Sequence, residues 1–301
     1  MTNYPPLADR PPGSDVTPRV TLARWPEDRP FALFLSHDVN QAHDRELFRR
    51  LGDGTRLACR RIARSLFHSN PVRKDFETLL ALEGGHGFRS TYFLRHDNSS
   101  PRPSAGYSLQ REEIRTITRM IQDAGGEIGV HGGDAQFNNA ARYRESIEAV
   151  ESSFGVRPTG IRNHLLRFSY PETWRAQAEA GFAYDATYGL PGELGPRGGW
   201  PFPFQTCDAS AGRLLDLFAL PITVMDATLF RHLHLAGEAA LEKAWETVQD
   251  VVRAGGLVSL LWHHNYFNAS EYWDWQMVYE ELLRRLAPLN LWCATGAEIN
   301  A

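Results

Sequence analysis

Cysteine is scarce in this chain. Its 301 residues hold three, Cys59, Cys207 and Cys293, far apart and odd in number, with no C-x-x-C pair. That argues against a disulfide framework and agrees with a reducing compartment. A basic surplus is lacking as well: 32 Lys and Arg stand against 36 Asp and Glu, for a formal charge of -4 and a pI near 6.3. Nothing in that balance attracts phosphate backbones or anionic lipid, so nucleic acid and membrane surfaces are not the expected partners. No uninterrupted apolar run approaches the roughly 18 residues of a membrane span, and residues 1–10 have no basic start followed by an apolar core. The expectation is a cytoplasmic protein acting on a small or neutral molecule. Catalytic signatures are missing too. There is no G-x-S-x-G elbow, no Walker-type glycine-lysine loop and no G-x-G-x-x-G opening a helix after a strand, which removes the usual support for serine-hydrolase, nucleotide-hydrolase and dinucleotide readings.

What the chain does have is alternation. With 43% hydrophobic and 23% charged residues it fits one ordinary α/β domain. Residues 1–30 carry seven prolines and little hydrophobic period, and read as an extended arm before a single domain at 31–301. Strands are expected at 31–40, 89–94, 127–131, 158–162, 182–186, 214–224, 257–262 and 289–293. Helical spacing fills 41–87, with breaks near Gly52-Asp53-Gly54 and Asn70-Pro71, and returns up to Ala124 behind Ser108 as N-cap. Further helices are expected at 139–153, 171–180, 238–253 and 271–286, and residues 189–213, crowded with Gly and Pro, read as one long loop. Strand and helix in alternation argue for a parallel sheet. Several strands stop at side chains fit for chemistry, as in a parallel barrel with its site at the strand ends.

Asp38, His131 and His164 are a hard oxygen and two imidazoles on separate strand ends, a set suited to zinc or another first-row divalent ion with positions left open for water and substrate. His37 points away from Asp38 if the strand stays regular, and is either a general base or a structural hydrogen bonder. His263 could protonate a leaving amine, and His264 is its rival. Arg162 could hold a neighbouring carboxylate ionised or form a plain salt bridge. Asp226 is a candidate orienting carboxylate, Asp134 a helix cap, and His232 and His234 read as surface or loop residues. Arg60, Arg61 and Arg64 read as a solvated helix face. Trp200, Phe202, Trp273 and Trp275 could stack on sugar faces or fill a core.

The order of these motifs over residues 31–295 resembles the polysaccharide deacetylase superfamily, the NodB-homology group. Leu35-Ser36-His37-Asp38 is similar to its first motif, Glu127-Ile-Gly-Val-His131-Gly to the start of the second, Gly160-Ile-Arg162 to the third and Leu260-Leu-Trp-His263 to the last. Gly160-Ile-Arg-Asn-His-Leu-Leu-Arg-Phe168, Leu220-Pro-Ile-Thr-Val-Met-Asp226 and Leu261-Trp-His-His-Asn265 resemble a branch found with surface-polysaccharide and glycoside biosynthesis. The resemblance implies a deformed (β/α)7 barrel, a divalent metal and hydrolysis of an N-acyl group. It puts Asp38 on the metal aspartate, His131 on the first metal histidine and His263 on the catalytic acid.

Two departures stand out: the family's base aspartate is His37 here, and its second metal histidine is Ala135. His164 is the expected replacement ligand, and either His37 or the metal alone activates the water. The expected activity is metal-dependent, most simply zinc-dependent, removal of an acetyl or formyl group from an amino sugar, glycoside or nucleotide-sugar precursor. The alternatives are hydrolysis of another C-N bond on the same barrel, or a non-catalytic sugar-binding or scaffold protein.

Overall fold

The structure, a computed structural model, describes residues 25–40, 71–96, 107–133, 136–268 and 272–301. The arm up to residue 24, the helical spacing over 41–70 with Cys59 and its arginines, and Asp134 and Ala135 lie outside the described residues.

Among the described residues ten strands make one sheet: β1 (Phe31–Val39), β2 (Ser90–Leu94), β3 (Glu127–Gly132), β4 (Gly160–Asn163), β5 (Tyr184–Asp185), β6 (Phe204–Asp208), β7 (Arg213–Ala219), β8 (Val224–Met225), β9 (Leu257–Leu261) and β10 (Leu291–Cys293). The spatial order is β6-β7-β5-β4-β3-β2-β1-β9-β8, and β10 pairs with the first half of β1. All pairings are parallel except β6 with β7. Between the strands run α1 (Pro71–Gly85), α2 (Glu112–Asp123), α3 (Ala140–Phe154), α4 (Glu172–Ala180), α5 (Gly237–Arg253) and α6 (Trp273–Leu286), with α7 (Gly296–Asn300) closing the chain. Ile114, Ile117, Thr118 and Ile121 form the buried stripe of α2 at the spacing an amphipathic helix requires. Asn139 caps α3 by accepting from the Arg142 backbone N–H, and Gly155 ends it in the left-handed region that suits glycine.

The sheet is curled, with helices around its outer face: the expected deformed (β/α) barrel. The pleat divides every central strand. Leu33, Leu35 and Val39 of β1 join the large core under the helices, whereas Ala32 and Phe34 join Phe93, Tyr184 and Leu257 in a separate cluster on the concave face. Every residue of β1 is buried, as expected of a strand covered on both sides.

Three expectations need correction. Residues 189–213 are not loop throughout, because 204–208 form β6, which turns back on β7. The expected strand 214–224 is two strands, β7 and β8, interrupted at Leu220-Pro221, where proline has no N–H for the ladder. Arg111, not Ser108, is the N-cap of α2, and the Ser108 hydroxyl accepts instead from the Gln110 N–H.

The concave core depends on two glycines. The Tyr184 ring passes so close to Gly160 and Gly296 that a Cβ at either would overlap it, and the Tyr184 hydroxyl donates to Glu127 Oε1 at 2.9 Å. Gly160→Ala is therefore expected to lower stability by about 1–3 kcal/mol or more through overpacking, measured as a lower urea midpoint. Combining it with Tyr184→Leu should recover part of that loss.

Candidate active site

On its concave side β1 reads Ala32, Phe34, Ser36, Asp38, apolar at the start and polar at the end. The site forms at that polar end. From β4, the fully buried Arg162 crosses the concave face to meet it: Nη2 donates to Ser36 Oγ (2.9 Å), Nη1 to Asp38 Oδ1 (3.1 Å) and Nε to the Ala186 carbonyl (2.9 Å). The guanidinium carbon lies 4.5 Å from the centre of the Phe93 ring. Burial pushes the Asp38 carboxyl up, but His131, Arg162 and His263 together outweigh it and hold the group below its usual range.

Asp38 Oδ2 then faces two imidazoles, with His131 Nδ1 and His263 Nε2 each 3.9 Å away. His131 Nδ1 lies 2.9 Å from the Arg162 carbonyl and Nε2 3.0 Å from Asn40 Oδ1. Both oxygens are acceptors, so a neutral ring donates to one of them only, and with Nδ1–H on the carbonyl the Asn40 amide must turn its NH2 to the Nε2 lone pair. Burial pulls this imidazole down to about 3; Asp38 opposes the shift, and His164 and Arg95 add to it. His263 is held the other way. Its Nδ1 lies 2.8 Å from Asp226 Oδ1, and its backbone N–H donates to Asp226 Oδ2 at 2.6 Å. Burial disfavours the imidazolium, but the Asp226 charge and hydrogen bond, with Asp38 behind them, raise its pKa.

His164 follows β4 in a tight turn, its ring edge-on to His131 with centroids 5.4 Å apart. The donor chemistry suits a divalent ion at two positions: an ionised carboxylate and a neutral histidine whose other nitrogen is fixed by a carbonyl. The expected three-ligand set is not assembled, since among the described residues no three His, Cys, Asp or Glu side chains are grouped to hold a metal. His164 touches the His131 ring without completing such a group.

The other expected residues divide between the two faces. His37 is not at the site. Regular pleating turns it to the helix side, where Nδ1 donates to the Trp262 carbonyl (2.7 Å) and Nε2 meets Glu83 Oε1 (2.8 Å). Glu83 also accepts from Ser90 and Tyr279, both at 2.6 Å. With both ring nitrogens engaged there, His37 is structural and not a base. His264 likewise turns away, stacked on Phe76 at 4.6 Å, which leaves His263 as the imidazole at the pole. His232 and His234 are exposed, as expected.

Trp200 and Phe202 flank Pro201, whose carbonyl accepts from Leu257 N–H at the start of β9, so they sit at the wrong pole for stacking. Trp275 is at the right one, stacked on Phe230 (4.5 Å) and 3.9 Å from Tyr266, which lies 6.0 Å from His263. Trp273 is largely exposed. Sequence reasoning passed over Glu83, Asn40 and Arg95. Glu83 lies 46 residues from its partner on a helix and leaves no signal, whereas Asn40 and Arg95 could have been found as the residues just beyond two strand ends.

No protein-family model matches the chain, and no curated protein matches it. Solved structures do. One, assigned as a polysaccharide deacetylase from Mycobacterium smegmatis, is 22% identical, with 93% of each chain covered and a TM-score of 0.59. The chain has the polysaccharide deacetylase fold. Another similar structure, Puue allantoinase, is 16% identical, with 97% of each chain covered and a TM-score of 0.62. In this polysaccharide deacetylase fold the polar cluster occupies the carboxyl ends of the strands, the pole where parallel barrels carry their chemistry.

Two expectations follow. Glu83→Leu strands His37 without its carboxylate and should lower unfolding free energy by about 3–5 kcal/mol in urea titrations. His37→Gln should act through stability in the same way, and a folded, inactive H37Q protein is the result that returns His37 to the site.

The second concerns pH. His131 has its folded pKa near 3, against about 6.5 unfolded. Between those values the unfolded chain binds a proton that the native protein does not. Lowering the pH from about 6.5 to about 3 should therefore reduce the stability of metal-free protein by up to about 1.4 kcal/mol per unit from this group, and His131→Gln should flatten that slope.

Proposed function

We propose that this protein hydrolyses the N-acyl amide of a small amino sugar or glycoside precursor. The observation that supports this most is the line Asp38–His263–Asp226, in which a histidine oriented by one carboxylate presents its free nitrogen toward another at 3.9 Å. Such a histidine is suited to proton transfer at a reacting amide.

Asp38 and His131 would hold a divalent ion, most simply zinc, and His164, edge-on to His131, would have to turn to join them as a third donor. A bound ion of this kind polarises an amide carbonyl and lowers the pKa of water. The rest belongs to the chain. His263 Nε2 passes a proton to the departing nitrogen as the C–N bond breaks and the water oxygen is kept by the acyl carbon. Its raised pKa favours the protonated form needed for that step. Asp226 fixes the Nδ1–H tautomer. Arg162 positions Asp38 and keeps it ionised. Tyr266 and Trp275, beside His263, offer an aromatic wall against which a sugar can lie.

The test is incubation with N-acetylated and N-formylated amino sugars, measuring released acid. His263→Gln should reduce kcat by about 10²–10⁴-fold, and Asp38→Asn should abolish both turnover and metal retention. Metal analysis of chelator-free protein should give one ion per chain. Unchanged metal content in His164→Ala removes that residue from the ligand set. Turnover of cyclic amides in place of N-acyl sugars assigns another C–N bond, and absence of both ion and turnover overturns the catalytic reading.

A further inference from the structure

Among the described residues, the polar pole contains a buried charge with no ionic partner. On β2 the pleat turns Thr91 and Phe93 to the concave face, and the next residue in that series is Arg95. Leu94 pairs with Val39 on one side and Val130 on the other, so Arg95 comes level with Asn40 and His131. Those two meet at 3.0 Å across the end of β2. The backbone is pinned there: Arg95 N–H donates to the Tyr107 hydroxyl (2.8 Å), which donates to the Val39 carbonyl (2.9 Å).

The Arg95 side chain is not tied in the same way. The residue is 2% exposed, yet its Nε and Nη2 have no hydrogen-bond partner, and no ion pair to it occurs among the described residues. A guanidinium cannot shed its charge at any pH the protein survives. The neighbouring charges are matched, Arg162 with Asp38 and His263 with Asp226. Arg162 is the instructive contrast. Equally buried, and level with it in the sheet through His131, it has each of its nitrogens bonded. Nε and Nη2 of Arg95 form one edge of the guanidinium plane, the edge that grips a carboxylate or phosphate through two parallel N–H bonds.

We infer that Arg95 binds an anionic oxygen group of the substrate, a carboxylate or a phosphate, so that the compound hydrolysed at this site is an acidic N-acyl molecule. This rests on the proposed activity for its kinetic arm, and on binding alone for its other arm. The anion would sit beside His131, at the same strand-end pole as Asp38. An acidic substrate then supplies the counter-charge that the described residues do not.

The first experiment needs no turnover. Inorganic phosphate and acetate are titrated calorimetrically into wild-type protein, Arg95→Lys and Arg95→Gln, and thermal midpoints are recorded without added anion. Binding of at least one anion is expected in the wild type, weakened about tenfold or more in R95Q and less in R95K, which keeps the charge but not the fork. The anion-free midpoint of R95Q should equal or exceed that of the wild type, because an unpaired buried charge has been removed. A lower midpoint in both variants with anion affinity unchanged identifies a structural arginine and overturns the inference.

The second experiment compares kcat/KM for N-acetylglucosamine 1-phosphate, N-acetylmuramic acid and neutral N-acetylglucosamine. The preferred acidic compound distinguishes phosphate from carboxylate, and the acid-to-neutral ratio should fall about tenfold or more in R95Q, mainly through KM. An unchanged ratio overturns the inference even if hydrolysis is confirmed. Should no amide be hydrolysed, the titrations still decide for or against the anion site.

Discussion

Arg162 is the constraint on which the arrangement depends. It stands on β4, and its partners Ser36 and Asp38 stand on β1, with β3 and β2 between. In a flat sheet those strands would be about 14 Å apart at the usual spacing of roughly 4.8 Å per step, so a single side chain can join them only across a strongly curved concave face. The same guanidinium lies over Phe93 of β2 and takes the Ala186 carbonyl beyond β5. One buried cation thus references four strands to one point. A buried ion pair is weak evidence of net stability, because desolvating the two charges offsets their attraction. What it does here is geometric: with Asp38 Oδ1 taken by Arg162, Oδ2 is left toward His131 and His263.

The alternation of β1 then separates two chemistries that are adjacent in the chain. His37 and Asp38 differ by one position and by one face. On the helix side, His37, Glu83, Ser90 and Tyr279 form a closed polar network within an aromatic shell that includes Tyr92 and Trp262. On the concave side Asp38 belongs to an open cluster with two imidazoles. Burial and the nearby Glu83 charge push the Tyr92 and Tyr279 hydroxyls well above their usual range, so they stay protonated, and Tyr279 donates to Glu83. The closed network braces the back of the strand whose front carries the candidate chemistry.

Much of this was legible in the sequence, for a physical reason. A buried parallel strand must be apolar until it ends, so polar residues at its end, such as Asp38, His131 and Arg162, announce both the boundary and the pole. Pairs at one strand end were not legible, because period-two reasoning fails once the chain leaves the ladder: His263 and His264 separate only through the turn that follows β9. The β6–β7 hairpin was hidden because glycine and proline crowd the segment just before it, and Pro221 broke an apolar run that looked continuous. A partner on a distant helix left no trace, as with Glu83 and His37, whereas Asp226, 37 residues from His263, was legible as an orienting carboxylate because it closes an apolar run as the other site residues do. Arg95 was visible as a residue, but its isolation is a property of three strands together.

The two poles of the sheet also differ in how completely they are satisfied, and that difference argues for where the protein works. At the strand-start pole, buried Glu127 accepts from Thr91, Tyr184 and the Ala297 N–H, and the Gly296 N–H donates back to Thr91. Even a carboxyl whose pKa burial pushes up is fully enclosed there. At the strand-end pole, Arg95 keeps an open edge, His131 is held neutral and His263 is biased toward its charged form. Directly after His164, Leu165 and Leu166 both adopt left-handed φ, at 58° and 51°, in a region costly for side chains of their kind. Leu166 is buried with Ile222, Met225 and Leu261, which fixes the turn, while Leu165 is left 67% exposed at the rim. Strain, an unmatched charge and shifted protonation states are all unfavourable in a folded chain. Their concentration at one end of the sheet, against the fully bonded Glu127 cluster at the other, follows if that end is shaped for a ligand that supplies the missing contacts.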